Sequence, residues 1–267
     1  MNKNSEISAL HERMDYDNFY KTLLHRYFWE ALEIFLPALY EAADRTVAPE
    51  FLEQEMEKIM LDLEGGANRT DVLTRIKLKD GESRLLLCHT EIVGEGGGEL
   101  PPRMHRYREM IHLKHGEEPI GIAVLTTPRP RKEKSSYRWE MFGVRVVYEY
   151  INVDIMKVED DVLLAEDNRI GLVLYAAKCA NLSGDDESEK FRYLRILSNL
   201  WAERGWNKED KRIILLAIEY LIRLRDKSYV EEMNIYVKSL KTMSEEDKEM
   251  YVSVFEEVAM EKGMETG

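Results

Sequence analysis

The chain has 267 residues, a formal net charge of −13, 44% apolar and 33% charged residues, which suits one large domain or a domain with a helical appendage. Seven prolines and fifteen glycines exclude a collagenous or low-complexity chain, and two cysteines, Cys88 and Cys179, exclude a disulfide framework or a four-cysteine zinc site. The longest apolar runs (213–218 and 170–177) fall far short of the roughly 20 residues of a membrane span and no apolar signal region opens the chain, so a reduced, cytoplasmic protein with no membrane partner is expected.

In chain order, residues 15–40 read as a helix. Phe19, Leu23, Tyr27, Ala31 and Phe35 step at four, with Leu24, Phe28, Leu32 and Leu36 beside them. Asp15 or Asp17 caps it, and Pro37 marks an end or kink. A short amphipathic segment follows at 53–63, and Gly65-Gly66 punctuates the chain. Residues 70–79 alternate as a strand, Lys79-Asp80-Gly81-Glu82 carries the Asp-Gly hairpin signature, and 84–93 returns as a second strand. Both faces of that strand are largely apolar, which places it at the centre of a sheet.

Gly94–Glu99 in sequence (GEGGGE) is a loop, and a helix is predicted over 101–114 with Arg103, Arg106 and Tyr107 on neighbouring turns. Residues 119–125 form another buried strand, and Trp139-Glu140 and 144–150 are further strands around Phe142-Gly143. Helices are expected at 170–180, 189–205 and 208–225, with a charged break at Gly184-Asp185-Asp186-Glu187, and the tail 244–267 is a charged amphipathic helix. The pattern predicts an α/β domain over 1–155 and an α-helical C-terminal region over 156–267.

An acidic chain is repelled by a polyanion unless its cations cluster. Between residues 101 and 145 ten Lys/Arg face five Glu, a local balance of +5 that leaves −18 elsewhere. Solvated loops also collect such residues, and the segment is equally consistent with that.

Two acids sit where chemistry needs them. Asp71 opens one strand and Glu91 lies near the end of its hairpin partner, so antiparallel pairing brings both to one end of the sheet. Converging carboxylates suit a hard cation such as Mg²⁺. A carboxylate beside Leu87, Ile92 and Val93 on a buried strand is costly unless paired or metal-bound. His89 shares a strand face with Glu91, and Arg103, Arg106 and Tyr107 offer a phosphate-holding surface. The same spacing also arises when Asp71 merely starts a strand and Glu91 ends one in solvent. Gly96-Gly97-Gly98 lacks the Gly-Lys-Ser/Thr of a phosphate loop, and His105 and His112 lack partners for a zinc pattern. Tyr193, Trp201 and Trp206 are expected in the core. Val252, Phe255, Val258 and Ala259 form a stripe that suits self-association through the C-terminal helices.

The order of these features resembles the PD-(D/E)XK nuclease superfamily, and within it the Rpn family of recombination-promoting nucleases and YhgA-like transposases. The likeness runs from about residue 15 to the C-terminus. It is carried by Asp17-Asn18-Phe19-Tyr20-Lys21 before Phe35-Leu36-Pro37, by Phe51-Leu52-Glu53-Gln54-Glu55-Met56, and by Asp71-Val72-Leu73 before Lys79-Asp80-Gly81-Glu82. Cys88-His89-Thr90-Glu91-Ile92-Val93-Gly94 before Arg103-Met104-His105-Arg106-Tyr107 is the most specific run, and the tail Met260-Glu261-Lys262-Gly263-Met264-Glu265 completes the set.

The resemblance implies a restriction-endonuclease-like mixed sheet flanked by helices. It further implies Mg²⁺ (or Mn²⁺) held by Asp71 and Glu91, a third acid from the first helix (Glu30 or Glu33), and DNA as the partner. Where such nucleases carry Lys or Gln two residues beyond the Glu, this chain has Val93, which offers no hydrogen bond to water. Loss of such a donor costs roughly 10²–10³ in rate elsewhere. His89 can substitute as water positioner, or pack within the sheet. The expected function is a metal-dependent DNA endonuclease; the alternative is a catalytically inactive relative that binds DNA or a protein partner.

Overall fold

The computed structural model describes residues 16–52, 71–91, 100–126 and 136–263. The broad apolar face predicted as one helix over 15–40 forms three helices: α1 (Tyr16–Arg26), α2 (Phe28–Phe35) and α3 (Pro37–Ala42). At Tyr27 the hydrogen-bond ladder continues, Tyr27 N to Leu23 O at 2.8 Å and Ala31 N to Tyr27 O at 2.9 Å, so that break is a bend. At Leu36 (φ −151°, ψ 74°) the ring of Pro37 drives its predecessor out of the helical region.

The sheet has five strands in the order β1-β2-β3-β4-β7. They are β1 (Glu50–Phe51), β2 (Asp71–Lys77), β3 (Ser83–Glu91), β4 (Ile120–Leu125) and β7 (Ile151–Asp154). The β2–β3 turn is the predicted Asp-Gly hairpin. Gly81 takes φ +91°, Leu78 N donates to Glu82 O at 2.8 Å, and the Asp80 carboxylate accepts from Glu82 N at 2.8 Å. β1, β2 and β3 pair antiparallel, whereas β3, β4 and β7 run parallel. Parallel neighbours need a crossover, and α4 (Leu100–His115) supplies the one from β3 to β4.

The two faces of the sheet bury different layers. Val72, Leu86, Cys88 and Ile122 meet Leu24, Phe28, Ala31, Leu32 and Phe35 of α1 and α2. The opposite face carries Leu73, Leu85, Leu87, Ala123 and Leu125, packed with Leu100, Met104, Tyr107 and Ile111 of α4. β3 is covered on both sides, as its unbroken apolar run requires. The strands flanking Phe142-Gly143 do not join this sheet. β5 (Ser136–Met141) and β6 (Val144–Glu149) form a separate two-stranded ribbon, rooted where Tyr137 stacks on His105 (ring centroids 4.2 Å apart). Tyr148 comes so close to Gly121 of β4 that a Cβ there would collide with its hydroxyl.

The chain divides into two compact units, Met1–Lys157 and Val158–Gly267. The described part of the second contains α5 (Asp160–Leu163), α6 (Arg169–Ser183), α7 (Glu187–Glu203), α8 (Lys208–Leu221), α9 (Lys227–Ser239) and α10 (Glu245–Gly263). Asn168, Asp186, Asn207 and Asp226 cap α6 to α9, their side chains accepting from first-turn N–H groups. α6 is buried almost all round and forms the middle of this unit. Among the described residues no helix is long and apolar enough to cross a membrane.

The self-association stripe expected on α10 is partly consumed inside the unit. Phe255 is buried and stacks on Tyr251 (centroids 6.0 Å apart). The segment predicted at 53–63 and the loop 94–99 lie outside the described residues.

Candidate functional site

The β2–β3 register decides where the expected metal ligands stand. Asp71 is the Cα partner of His89, and Glu91 follows two residues later along β3. Directly opposed residues and residues two apart share a face, so the backbone sets all three positions in one alternation class with Leu73, Leu85 and Leu87. Their side chains, and Val93, lie outside the described residues. The parallel strands extend the row: His89 pairs with Ala123 and Ala123 with Asn152, while Glu91 pairs with Leu125 and Leu125 with Asp154. The result is a polar row crossing an apolar face at the carboxyl ends of β3, β4 and β7, the end at which open sheets with parallel strands bind ligands.

Two members of that row were not anticipated. The Asn152 Oδ1 atom is buried and has no hydrogen-bond partner among the described residues, a cost of about 1–3 kcal/mol unless something fills the position. Asp154 has a local role: its carboxylate accepts from Met156 N at 3.1 Å and pairs with Lys157 at 2.9 Å. β7 follows β6 after the single residue Tyr150, with no Gly, Pro or Asn to announce a new strand. No punctuation therefore marked Asn152 and Asp154 as strand residues.

Glu30 and Glu33 stand on α2, which packs on the other face of the sheet, and Glu33 is exposed. On α4 the three residues expected to hold phosphate separate. Arg106 is exposed, Arg103 is buried at 5% exposure, and Tyr107 is fully buried within the core cluster. The reason is spacing: Leu100, Met104, Tyr107 and Ile111 follow the helical repeat and define the face against the sheet. The phosphate-accessible part of the expected surface is therefore Arg106.

The basic segment is also less free than its count implies. Arg108 forks onto Glu118 at 2.7 and 2.5 Å and contacts Glu109 at 2.6 Å. Arg138 pairs with Glu149 and Arg145 with Glu140, while residues 129–134 lie outside the described residues. Burial pushes the His105 imidazole below its ordinary value, against the opposing pull of Glu109. With its ring stacked on Tyr137, this histidine serves the packing at the ribbon root. Burial also pushes the Tyr148 phenol up to about 12.

Among the described residues no group of three or more His, Cys, Asp or Glu gathers as a cation site. The donor set implied at the end of the row is nonetheless of the hard kind. Two carboxylates, from Asp71 and Glu91 on adjacent strands, match the all-oxygen preference of Mg²⁺ or Mn²⁺, whereas Asn152, three strands from Asp71 and so about 14 Å away, is too distant to share the ion. No protein-family profile, no curated protein and no solved structure matches this chain.

Proposed function

We propose that the chain is a metal-dependent DNA endonuclease of the recombination-promoting nuclease type. The observation that carries this reading is the pairing of Asp71 with His89, which puts the positions of Asp71 and Glu91 at the same end of one sheet face. Further support comes from the element order. Helices precede three antiparallel strands, and a crossover helix then leads to a strand parallel to the third, the arrangement that the restriction-endonuclease-like resemblance implies.

In this reading Asp71 and Glu91 would hold Mg²⁺ or Mn²⁺, which would supply Lewis acidity and a water of lowered pKa. His89 takes the proton of the attacking water. The water oxygen bonds to phosphorus as the P–O bond to the leaving sugar oxygen breaks, and that oxygen takes up a proton from solvent water. Arg106, an exposed cation of α4, engages a flanking phosphate. Val93 supplies no hydrogen bond where a Lys or Gln would, which lowers the rate.

The test is plasmid cleavage by the full chain in Mg²⁺ and in Mn²⁺, with Asp71→Ala, Glu91→Ala and Val93→Gln alongside. The wild type nicks DNA, both alanine variants lose the activity by about 10²-fold or more, and Val93→Gln cuts faster. Cleavage by Val93→Gln alone means that the natural chain is a binding relative with a dormant site. Cleavage that survives in both alanine variants, or appears in none of the proteins, overturns the assignment.

A further inference from the structure

The β5–β6 ribbon is amphipathic. Its register, Tyr137 with Tyr148, Trp139 with Val146 and Met141 with Val144, puts six apolar or aromatic residues on one face. The other face holds Ser136, Arg138, Glu140, Arg145, Val147 and Glu149, whose charges are mutually paired by Arg138–Glu149 and Arg145–Glu140. Among the described residues, the apolar face is covered mainly at its root. Tyr137 and Tyr148 pack near His105, but beyond them Trp139 is 40% exposed, Met141 51%, Val144 60% and Phe142 99%.

The tip is costly to the fold that carries it. Phe142 takes φ +50° and Gly143 φ +84°, the two left-handed positions of a hairpin turn that favours Asn-Gly. A bulky residue in that region is strained, and this one is also wholly in water. Neither cost is recovered within the described residues. A two-stranded ribbon with no second layer is, moreover, marginal in water.

We propose that the apolar face of the ribbon is an interface with a second copy of this chain, two ribbons packing face to face about a two-fold axis. Area and charge both favour this occupant. Trp139, Met141, Phe142 and Val144 together expose on the order of 500 Å², so their complete burial in two copies removes about 1,000 Å², the lower bound for a specific contact. The packed face carries no charge, and the ribbon as a whole is neutral, with two Arg and two Glu. Two chains of net charge −13 therefore meet at a surface that adds no local repulsion. An isologous contact needs a self-complementary patch, and an uncharged apolar one qualifies. A phosphate backbone, in contrast, would meet apolar side chains and arginines already bound to glutamates. The inference stands on the ribbon alone and is independent of the nuclease reading.

Sedimentation equilibrium of the full chain across the micromolar range tests it. The wild type sediments at twice the chain mass at the upper end. Phe142→Asn, which suits the turn, and the double variant Met141→Lys/Val144→Glu, which adds a cross-strand ion pair to the same face, each raise the dissociation constant about tenfold or more. Thermal midpoints at concentrations where the wild type is monomeric confirm that both variants are folded. A wild type that stays monomeric throughout, or a dimer that both variants leave intact, overturns the proposal. Monomers throughout with a loss of DNA affinity in Phe142→Asn would assign the face to nucleic acid instead.

Discussion

Trp201→Ala is expected to destabilise the helical unit by about 3–5 kcal/mol, a large share of the 5–15 kcal/mol typical of a whole domain. Trp201 is among the largest fully buried side chains and stands where three helices meet. From α7 its indole N–H donates to the carbonyl of Lys211 on α8 at 2.8 Å. The Lys211 ammonium lies 5.1 Å from the ring centroid and pairs with Asp247 of α10 at 2.8 Å. Tyr251, also on α10, meets the ring edge-on at 6.1 Å. Alanine removes the apolar contacts, opens a cavity and leaves the Lys211 carbonyl without its donor. Trp201→Phe keeps most of the volume and loses the hydrogen bond, so its cost is expected to be smaller, about 1–3 kcal/mol. Urea unfolding followed by circular dichroism measures both; equal losses would mean that packing around the indole contributes little.

The second large effect is a pH dependence centred on Glu219. This residue is fully buried on α8, and burial pushes its carboxyl up to about 8, against the opposing pulls of the Tyr251 hydroxyl and Arg223. The Tyr251 hydroxyl donates to its Oε1 at 2.9 Å. In the unfolded chain the same carboxyl loses its proton near its ordinary value of 4.5. Between those values the folded state holds a proton that the unfolded state has released, so stability falls as pH rises. It is fully present below about 4.5 and lost on passing through about 8, by roughly one kcal/mol per pH unit in the window. Glu219→Gln keeps an oxygen for Tyr251 and cannot ionise, so its thermal midpoint is expected to be flat over that window while the wild type declines. Parallel declines in both proteins would place the titration elsewhere.

Sequence pattern revealed the parts of the fold that carry their own local signals. The Asp80-Gly81 turn announced the β2–β3 hairpin, and hairpin arithmetic alone brought Asp71 and Glu91 to one end of it. The unbroken apolar run of β3 announced a strand covered on both faces. Elements without such signals were missed. β1 is two residues long, β7 starts one residue after β6, and α9 is marked only by the Asp226 cap, which accepts from Ser228 N at 2.8 Å. The bend at Tyr27 has no Gly or Pro to mark it. On α4 Arg103, Arg106 and Tyr107 suggest a phosphate-holding surface, but Met104, Tyr107 and Ile111 at helical spacing put Tyr107 on the core face. Which side of a helix faces a sheet depends on partners far along the chain, so the burial of Arg103 follows from the crossover geometry.

The polar row from Asp71 to Asn152 was half visible for the same reason. Its antiparallel half is local, whereas its parallel half depends on residues 120–125 and 151–154 returning beside β3. Titration of the full chain with Mn²⁺, followed by electron paramagnetic resonance of the free ion, tests that row as a metal centre most directly. One ion is expected to bind per chain, with binding lost in both Asp71→Asn and Glu91→Gln. A free-ion signal undiminished by the wild type, or equal binding by the wild type and both carboxylate variants, would contradict it.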